Sequence, residues 1–451
     1  MKIVNDLRLR FEDGLWALDT ELALIDVVLE KHPEFYELVT EDIQGANKNN
    51  ELGRKDGPSV EQVVRAAIYK ELKQLSYTDL EYAQYDSRIC AVFIKLDIRK
   101  PFSSEVFYKY ISRVSEEGLT KLMVAINKVA LSEGLEDAER IRMDTTVVES
   151  DIHYPTNNSL VWDCIKESHR ILSKLEGVEK GLKVINYPGQ AKSNYYQINV
   201  TKSEEKRRGL FEKQLGILRR SIKQTRRVLE RLSKKEASQK SESKLKRQIE
   251  ELLPLMEQVY SMTRRRQLDG EVVPNDEKIF SIYEKHTDII VKGQREVKFG
   301  HKVNLSTGKN GLILGCEILK GNPSDSSLYQ STLSELKKNY DMEIRDVATD
   351  GGYASTPNLE YARGNGIINI VFNKVVGSLK NITTSSSMET RLKKWRSGIE
   401  AVISNLKRGF GLFRSEWKSK ERFDAKVMWS VIAYNIRSMT RLCLMKLRPS
   451  S

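Results

Sequence analysis

Cysteine is scarce and scattered in this chain of 451 residues. Its four cysteines, Cys90, Cys164, Cys316 and Cys443, lie far apart and form no C-x-x-C pair. That pattern excludes a disulfide framework and a cysteine-built zinc site. Long apolar runs are also missing. The most apolar late stretch, VMWSVIAYNI, is about half the length of a bilayer span. The opening stretch MKIVNDLRLRFEDG lacks the apolar centre of a signal peptide. These absences predict a cytoplasmic protein that is neither secreted nor embedded in a membrane. Hydrophobic residues make up 39% and charged residues 30%, the balance of a soluble globular chain of two to four domains. Lys and Arg number 75 against 62 acidic residues, a net charge of +13. An excess of that size suits a polyanionic partner, although a merely soluble basic protein would show it too.

The periodicity changes along the chain. Residues 1–58 read as a helical arm ending in the loop GANKNNELGRKDGPS. Residues 59–135 read as short helices of an all-α domain. Val60, Val63, Val64, Ala67 and Ile68 share a helical face there, and Ser76 with Asp79 forms a capping start. Such a group of helices can hold a helix-turn-helix for DNA, or can simply be packing. At ERIRMDTTVVES the period becomes two and β-branched residues dominate, which predicts a strand carrying Asp144. A carboxylate in mid-strand is unfavourable unless exposed, paired or bound to metal.

Residues 161–275 read as a helical insertion. Phe211, Leu215, Leu218, Ile222, Thr225, Leu229 and Leu232 follow a heptad, and Leu245, Ile249, Leu252, Met256 and Val259 resume it after the polar break SKKEASQKSES. That pattern predicts an antiparallel, coiled-coil-like helical hairpin. Arg219, Arg220, Arg226, Arg227 and Arg231 then point outward or to the seam edge. They form either a solvated face or a basic arm along DNA phosphates.

Strands return after about 276. Asn310-Gly311 is a hairpin turn between VNLST and LILGCEI. A helix follows, then a strand ending at Asp350 with Gly-Gly, a helix capped by Ser355 before Thr356-Pro357, the strand IINIVFN, and one helix over METRLKKWRSGIEAVISNLKRGFG that carries Glu400. Without the insertion, the order is that of an α/β ribonuclease H-like core, a mixed sheet with flanking helices. This core is expected over 136–160 together with 276–447. Phosphodiester cleavage by two divalent ions needs hard oxygen ligands. Asp144, Asp350 and Glu400, each from a separate element of one sheet, meet that need as catalytic and metal-binding residues.

With these motifs the chain resembles the DDE transposases of bacterial insertion sequences, and most closely the group called ISNCY. The stretches RMDTTVVESDIHYPTNNSLVWD, FGHKVNL, DGGYAS and RSGIEAVISNLKRGFGL carry the resemblance. The segment 59–115 resembles the N-terminal domain of such enzymes. The resemblance implies that Asp144, Asp350 and Glu400 hold two Mg²⁺ ions, with Mn²⁺ as a substitute. It also implies binding of terminal inverted repeats, cleavage at the element's ends, joining of 3′ ends to target DNA, and a homodimer or larger assembly. Arg396, Glu400 and Lys407 match the intervals of the YREK signature and would lie on one helix face. There the two cations suit DNA phosphates, while an Arg396–Glu400 salt bridge is the plainer reading. Lys393 stands where the signature has tyrosine, so Lys393 or Trp395 takes over that DNA contact. The stretch from Asp350 to Glu400 has room for a helix and a strand but no inserted domain. A nuclease of the same fold without strand transfer, and a non-catalytic DNA-binding descendant, are the alternatives. Asp346 is a weaker alternative to Asp350. Glu149, Asp151 and His153, following the first strand, either support the site or are loop polarity; His301 either touches the scissile region or is a surface strand histidine; and Asp325 is a helix cap or a chemical group.

Overall fold

The computed structural model describes residues 14–45, 57–97, 100–179, 181–234, 240–292, 296–374 and 379–447. The loop expected before residue 59 and the polar break after residue 232 fall largely on 46–56 and 235–239, outside the described residues. Two compact units divide the chain: Met1–Asp151 with Ile290–Ser451, and Ile152–Ile289. No described helix is long and apolar enough to cross a membrane.

The first unit begins with helices α1 (Thr20–Lys31), α2 (Glu34–Gln44), α3 (Val60–Leu72), α4 (Tyr77–Asp86), α5 (Arg88–Phe93), α6 (Ser104–Ile111) and α7 (Glu116–Ser132). Ser76 and Asp79 exchange backbone and side-chain bonds of 3.0 and 3.1 Å and start α4 as a capping box. Strand β1 (Arg140–Ser150) follows and forms the middle of the sheet. Later in the chain come β2 (Asp288–Lys292), β3 (Glu296–Thr307), β4 (Ile313–Ile318), α12 (Asp325–Tyr340), β5 (Asp346–Asp350), α13 (Thr356–Gly364), β6 (Asn369–Asn373), α14 (Ser386–Arg396), α15 (Gly398–Gly409), β7 (Arg414–Ser415) and α16 (Lys420–Leu447). The helices of the second unit take the numbers α8 to α11.

The sheet order is β2-β3-β1-β5-β6, with β4 on β3 and the short β7 on β1. β1 runs antiparallel to β3 and parallel to β5, and β5 runs parallel to β6. This mixed sheet with flanking helices fits a ribonuclease H-like core. β3 and β4 pair antiparallel across the Asn310-Gly311 turn, where Gly311 has φ 94°. Buried Glu136 fixes that turn by accepting from the backbone N–H of Asn310 at 2.7 Å and of Leu312 at 2.9 Å. Alternation in β1 marks two faces, but helices cover both. Only Arg140, Asp144 and Glu149 of this strand are more than marginally accessible.

The early helices share one hydrophobic core with α16 and with one face of the sheet. Three polar contacts tie these parts together. Asn435 of α16 donates to Asn127 of α7 at 3.0 Å and accepts from the N–H of Ile313 on β4 at 2.9 Å. Trp429 donates its indole N–H to the carbonyl of Ile111 at 3.1 Å. Lys426 of α16 meets Glu71 of α3, and Lys70 stands 3.2 Å from the same carboxylate. All three of these charged side chains are nearly inaccessible, with Lys426 the most open at 12%.

The second unit is a bundle of α8 (Asn157–Glu176), α9 (Tyr187–Val200), α10 (Glu204–Ser233) and α11 (Lys240–Gln267). Leu215, Leu218, Ile222 and Leu232 of α10 are buried in one core with Ile249, Leu252, Met256 and Val259 of α11. The sequence pattern predicts a two-helix hairpin, yet α8 packs on α9, α10 and α11, and α9 on α10. The stripe on α10 is correspondingly wider than a heptad seam: Gln214, Ile217, Ser221 and Val228 are buried as well. Ser221 meets Ser168 of α8 at 2.8 Å inside this core.

Burial pushes the Glu71 carboxyl up, but Lys426 and Lys70 outweigh it and hold it below the ordinary carboxylate range. Glu71 therefore contributes stability above its unfolded-state pKa, and that stability is lost as the pH falls through the folded value. Lys426→Met, which strips a buried carboxylate of a partner, is expected to cost about 3–5 kcal/mol at neutral pH. Urea unfolding of wild type and variant at several pH values checks this, and the gap between them should narrow on the acid side.

Candidate active site

Asp144 sits on β1 opposite Leu305 of β3, at a break in the strand's burial. The N–H of Thr145 donates to its carboxylate at 2.8 Å. Asp350 is the last residue of β5, the strand beside β1, and lies in register with Asn373 at the end of β6. The chain must then turn between two strand ends. A Cβ on Gly351 would stand 2.7 Å from the carbonyl oxygen of Lys374 and 2.8 Å from that of Asn373, so only glycine passes there. Ser355 caps α13 by accepting from the N–H of Asn358 at 3.2 Å.

The helix expected over METRLKKWRSGIEAVISNLKRGFG is two helices, α14 and α15, parted at Ser397. The cause lies far off in sequence. Buried Arg142, two residues before Asp144 on β1, donates to the carbonyl of Trp395 at 2.7 Å and to the Thr307 hydroxyl at 2.8 Å. Its guanidinium lies 4.8 Å from the centre of the Trp395 ring. Any side chain at Gly398 would collide with it. Arg142 thus caps α14 and packs against the backbone of Gly398 at the start of α15. Burial lowers its pKa from the ordinary arginine value.

The break places Arg396 at the end of α14 and Glu400 in the first turn of α15. Arg396 is buried, and it joins all three carboxylates. Its Nη2 lies 2.9 Å from Asp144 Oδ2 and 3.9 Å from Asp350 Oδ2, and its Nη1 lies 2.9 Å from Glu400 Oε1. The salt bridge between Arg396 and Glu400 is therefore present, as one arm of a larger cluster. Asp144, Asp350, Glu400, Arg396 and Lys407 line one cleft of about 480 Å³. Lys374, Arg408 and Phe413 line it too and were missed in the sequence. Lys374 follows β6 in a left-handed conformation, φ 57°, for which nothing local gave a signal. Arg408 adjoins Lys407 and was legible as a second cation.

The donor set is entirely carboxylate, which in kind fits a hard divalent ion. Among the described residues, however, no three acidic, histidine or cysteine side chains stand close enough to enclose an ion. The guanidinium of Arg396 holds the central place. Tyr353, wholly buried beneath the cleft, donates to Asn304 at 2.8 Å. Burial, with Asp325 and Asp144 adding to it, pushes its phenol far above the usual range.

Other candidates fall elsewhere. Asp346 begins β5 and is wholly buried, paired with Arg140 at 3.1 Å and Arg345 at 3.0 Å and accepting from Asn369 at 2.6 Å. His301 is not a surface histidine: it is buried, with Nδ1 3.2 Å from the carbonyl of Leu319 and its ring against Phe423. The helices over that face of β3 bury it. Asp325 is not the cap of α12, since Ser324 takes the N-cap position. It pairs with Lys302 at 2.6 Å and accepts from the Thr145 hydroxyl at 3.2 Å. Glu149 pairs with Arg414 at 3.1 Å, and His153 with Asp163 at 3.3 Å. Lys393 pairs with Glu389 at 2.6 Å, and Trp395 donates to the carbonyl of Lys309 at 3.1 Å; neither lines the cleft. Arg219, Arg220, Arg226 and Arg227 are exposed on α10 but divide between two faces. Arg226 pairs with Glu257 of α11, whereas Arg220 and Arg227 line a separate cleft.

No curated protein and no solved structure matches the chain. Residues 268–436 match the family described as transposase DDE domain, a stretch that holds Asp350, Arg396 and Glu400 and begins beyond Asp144, and this match supports a DDE transposase family.

Proposed function

We propose that the protein is a transposase that cuts DNA at the ends of an insertion sequence and joins the 3′ ends to target DNA. The observation that carries the reading is the convergence of Asp144, Asp350 and Glu400 on one cleft, from two neighbouring strands and a helix, within a chain whose later part matches a transposase domain. The quoted motifs favour the ISNCY-like group. Double-stranded DNA is the substrate, and two ends handled together call for a homodimer or larger assembly.

In this reading Asp144, Asp350 and Glu400 would hold two Mg²⁺ ions, which when bound would supply activation of a water or 3′ hydroxyl and stabilisation of a departing 3′ oxygen. Arg396 keeps the carboxylates together and must give up its central place when the ions are held. A guanidinium freed there is suited to a phosphate oxygen of the strand being cut. Lys407, Arg408 and Lys374 on the cleft wall bind flanking phosphates and orient the strand. Phe413, 57% exposed, adds an apolar face to the cleft wall. The short helices of the first unit are the proposed reader of the terminal repeats.

Asp144→Asn, Asp350→Asn and Glu400→Gln should each abolish Mg²⁺-dependent nicking and strand transfer while leaving the circular dichroism spectrum and DNA retention unchanged. Near-normal cleavage by one of them would falsify that residue's assignment. Nicking without any joining of 3′ ends would favour the nuclease alternative.

Lys407→Ala should slow cleavage more than it weakens DNA binding, because it positions one strand. Arg396→Ala should also lower the melting temperature, since it removes the counter-ion of Asp144 and Glu400, and added Mg²⁺ should restore part of that loss. Gel-based nicking, binding titrations and thermal melts separate these effects. Equal losses of rate and affinity in Lys407→Ala would indicate general phosphate binding instead.

A further inference from the structure

The second unit holds a cleft of about 350 Å³ that the proposed chemistry does not use. One wall is a single face of α10, bearing Arg220, Lys223, Arg227 and Arg231 at helical spacing. The other wall is the segment between α8 and α9, with Leu182, Lys183 and Ile185. Two bonds hold that segment on the helix. Gln224 accepts from the N–H of Ile185 at 2.9 Å, and Arg231 donates to the carbonyl of Gly181 at 3.2 Å. The cleft is therefore formed before any ligand arrives.

Among the described residues, five cations line it and no carboxylate does. Arg231 is matched by Glu179 at 3.0 Å, just outside the lining. Arg220, Lys223, Arg227 and Lys183 are exposed and form no ion pair with any described carboxylate, Arg220 reaching only the Gln190 side-chain oxygen at 3.5 Å. Like charges so placed repel, and a bound polyanion relieves that repulsion. The floor is apolar. Val228 and Leu182 are buried there, and Ile185 is left 52% exposed among the cations. A duplex offers phosphates but hides its base faces. A single strand offers both, and the cleft sets the exposed apolar side chain of Ile185 among its cations.

We propose that this cleft binds a single-stranded segment of DNA, with phosphates on Arg220, Lys223 and Arg227 and a sugar–base unit against Ile185 and Val228. The inference rests on the reading of the chain as a DNA-processing enzyme. It adds a second DNA site, carried entirely by the helical unit.

α10 supplies its own control. Arg219 and Arg226 lie one residue before Arg220 and Arg227 and carry the same charge but do not line the cleft, Arg226 being paired with Glu257 at 2.5 Å. The test compares full-length Arg220→Gln/Arg227→Gln with Arg219→Gln/Arg226→Gln in metal-free buffer. The probes are fluorescein-labelled oligo(dT), the same oligomer with abasic sites, and a duplex of random sequence. The cleft pair is expected to lose about tenfold in oligo(dT) affinity, with a salt slope lower by roughly 1.4, while the control pair changes less than about twofold. Wild type should prefer oligo(dT) to the abasic strand, and Ile185→Ser should remove that preference. Equal losses in both pairs, no loss in either, equal losses for duplex and oligo(dT), or no abasic discrimination by wild type would each overturn the proposal. Mg²⁺-dependent nicking by the same proteins separates the two readings. If wild type never nicks but the cleft pair still loses oligo(dT), the catalytic reading fails and the cleft stands. If wild type nicks and the pairs behave alike, the cleft fails alone.

Discussion

The guanidinium of Arg396 offsets the mutual repulsion of the three carboxylates that share the cleft. Much of the neighbouring structure serves to put that group in place. Arg396 ends one helix and Glu400 lies in the first turn of the next, with Ser397 between them. The break is held by Arg142, which comes from the strand that also bears Asp144. One strand thus provides both a carboxylate and the brace that brings its counter-ion. The arrangement has a cost: Arg396 Nε is buried without a hydrogen-bond partner.

The cleft is positioned by the pairing of the strands that carry its carboxylates. β1 is held antiparallel by β3 and parallel by β5, so Asp144 and Asp350 project from neighbouring strands whose register is set over several residues. α16 braces the other end of the unit through Asn435, Trp429 and Lys426, reaching α7, β4, α6 and α3. These polar contacts lie within an apolar core, where each must be satisfied and so admits few alternative packings.

The excess of basic residues is spent in two chemically different ways. Around the carboxylate cleft, Lys374, Lys407 and Arg408 balance acidic groups and leave a mixed surface. In the helical unit five cations gather over an apolar floor, and of these Arg231 alone is paired with a described carboxylate, Glu179. A net charge of +13 reveals neither arrangement.

Local pattern alone was enough to place Asp144 on a strand, Asp350 at a strand end before two glycines, and Glu400 on a helix. Alternation, turn residues and helical spacing are properties of neighbours in the chain. The Ser355 cap, the Ser76–Asp79 box and the Asn310-Gly311 turn were legible for the same reason. The break at Ser397 was not, because the arginine that causes it lies on β1, and helix propensity carries no record of a distant guanidinium. His301 was misjudged because alternation separates the two faces of a strand without saying which is covered. The width of the buried stripe on α10 depended on α8 and α9, whose packing no heptad count contains. Sequence by itself determined the kinds of elements and the residues they carry; tertiary packing alone decided which distant side chains meet, because charge pairing, capping and burial act through space between segments that the chain keeps far apart.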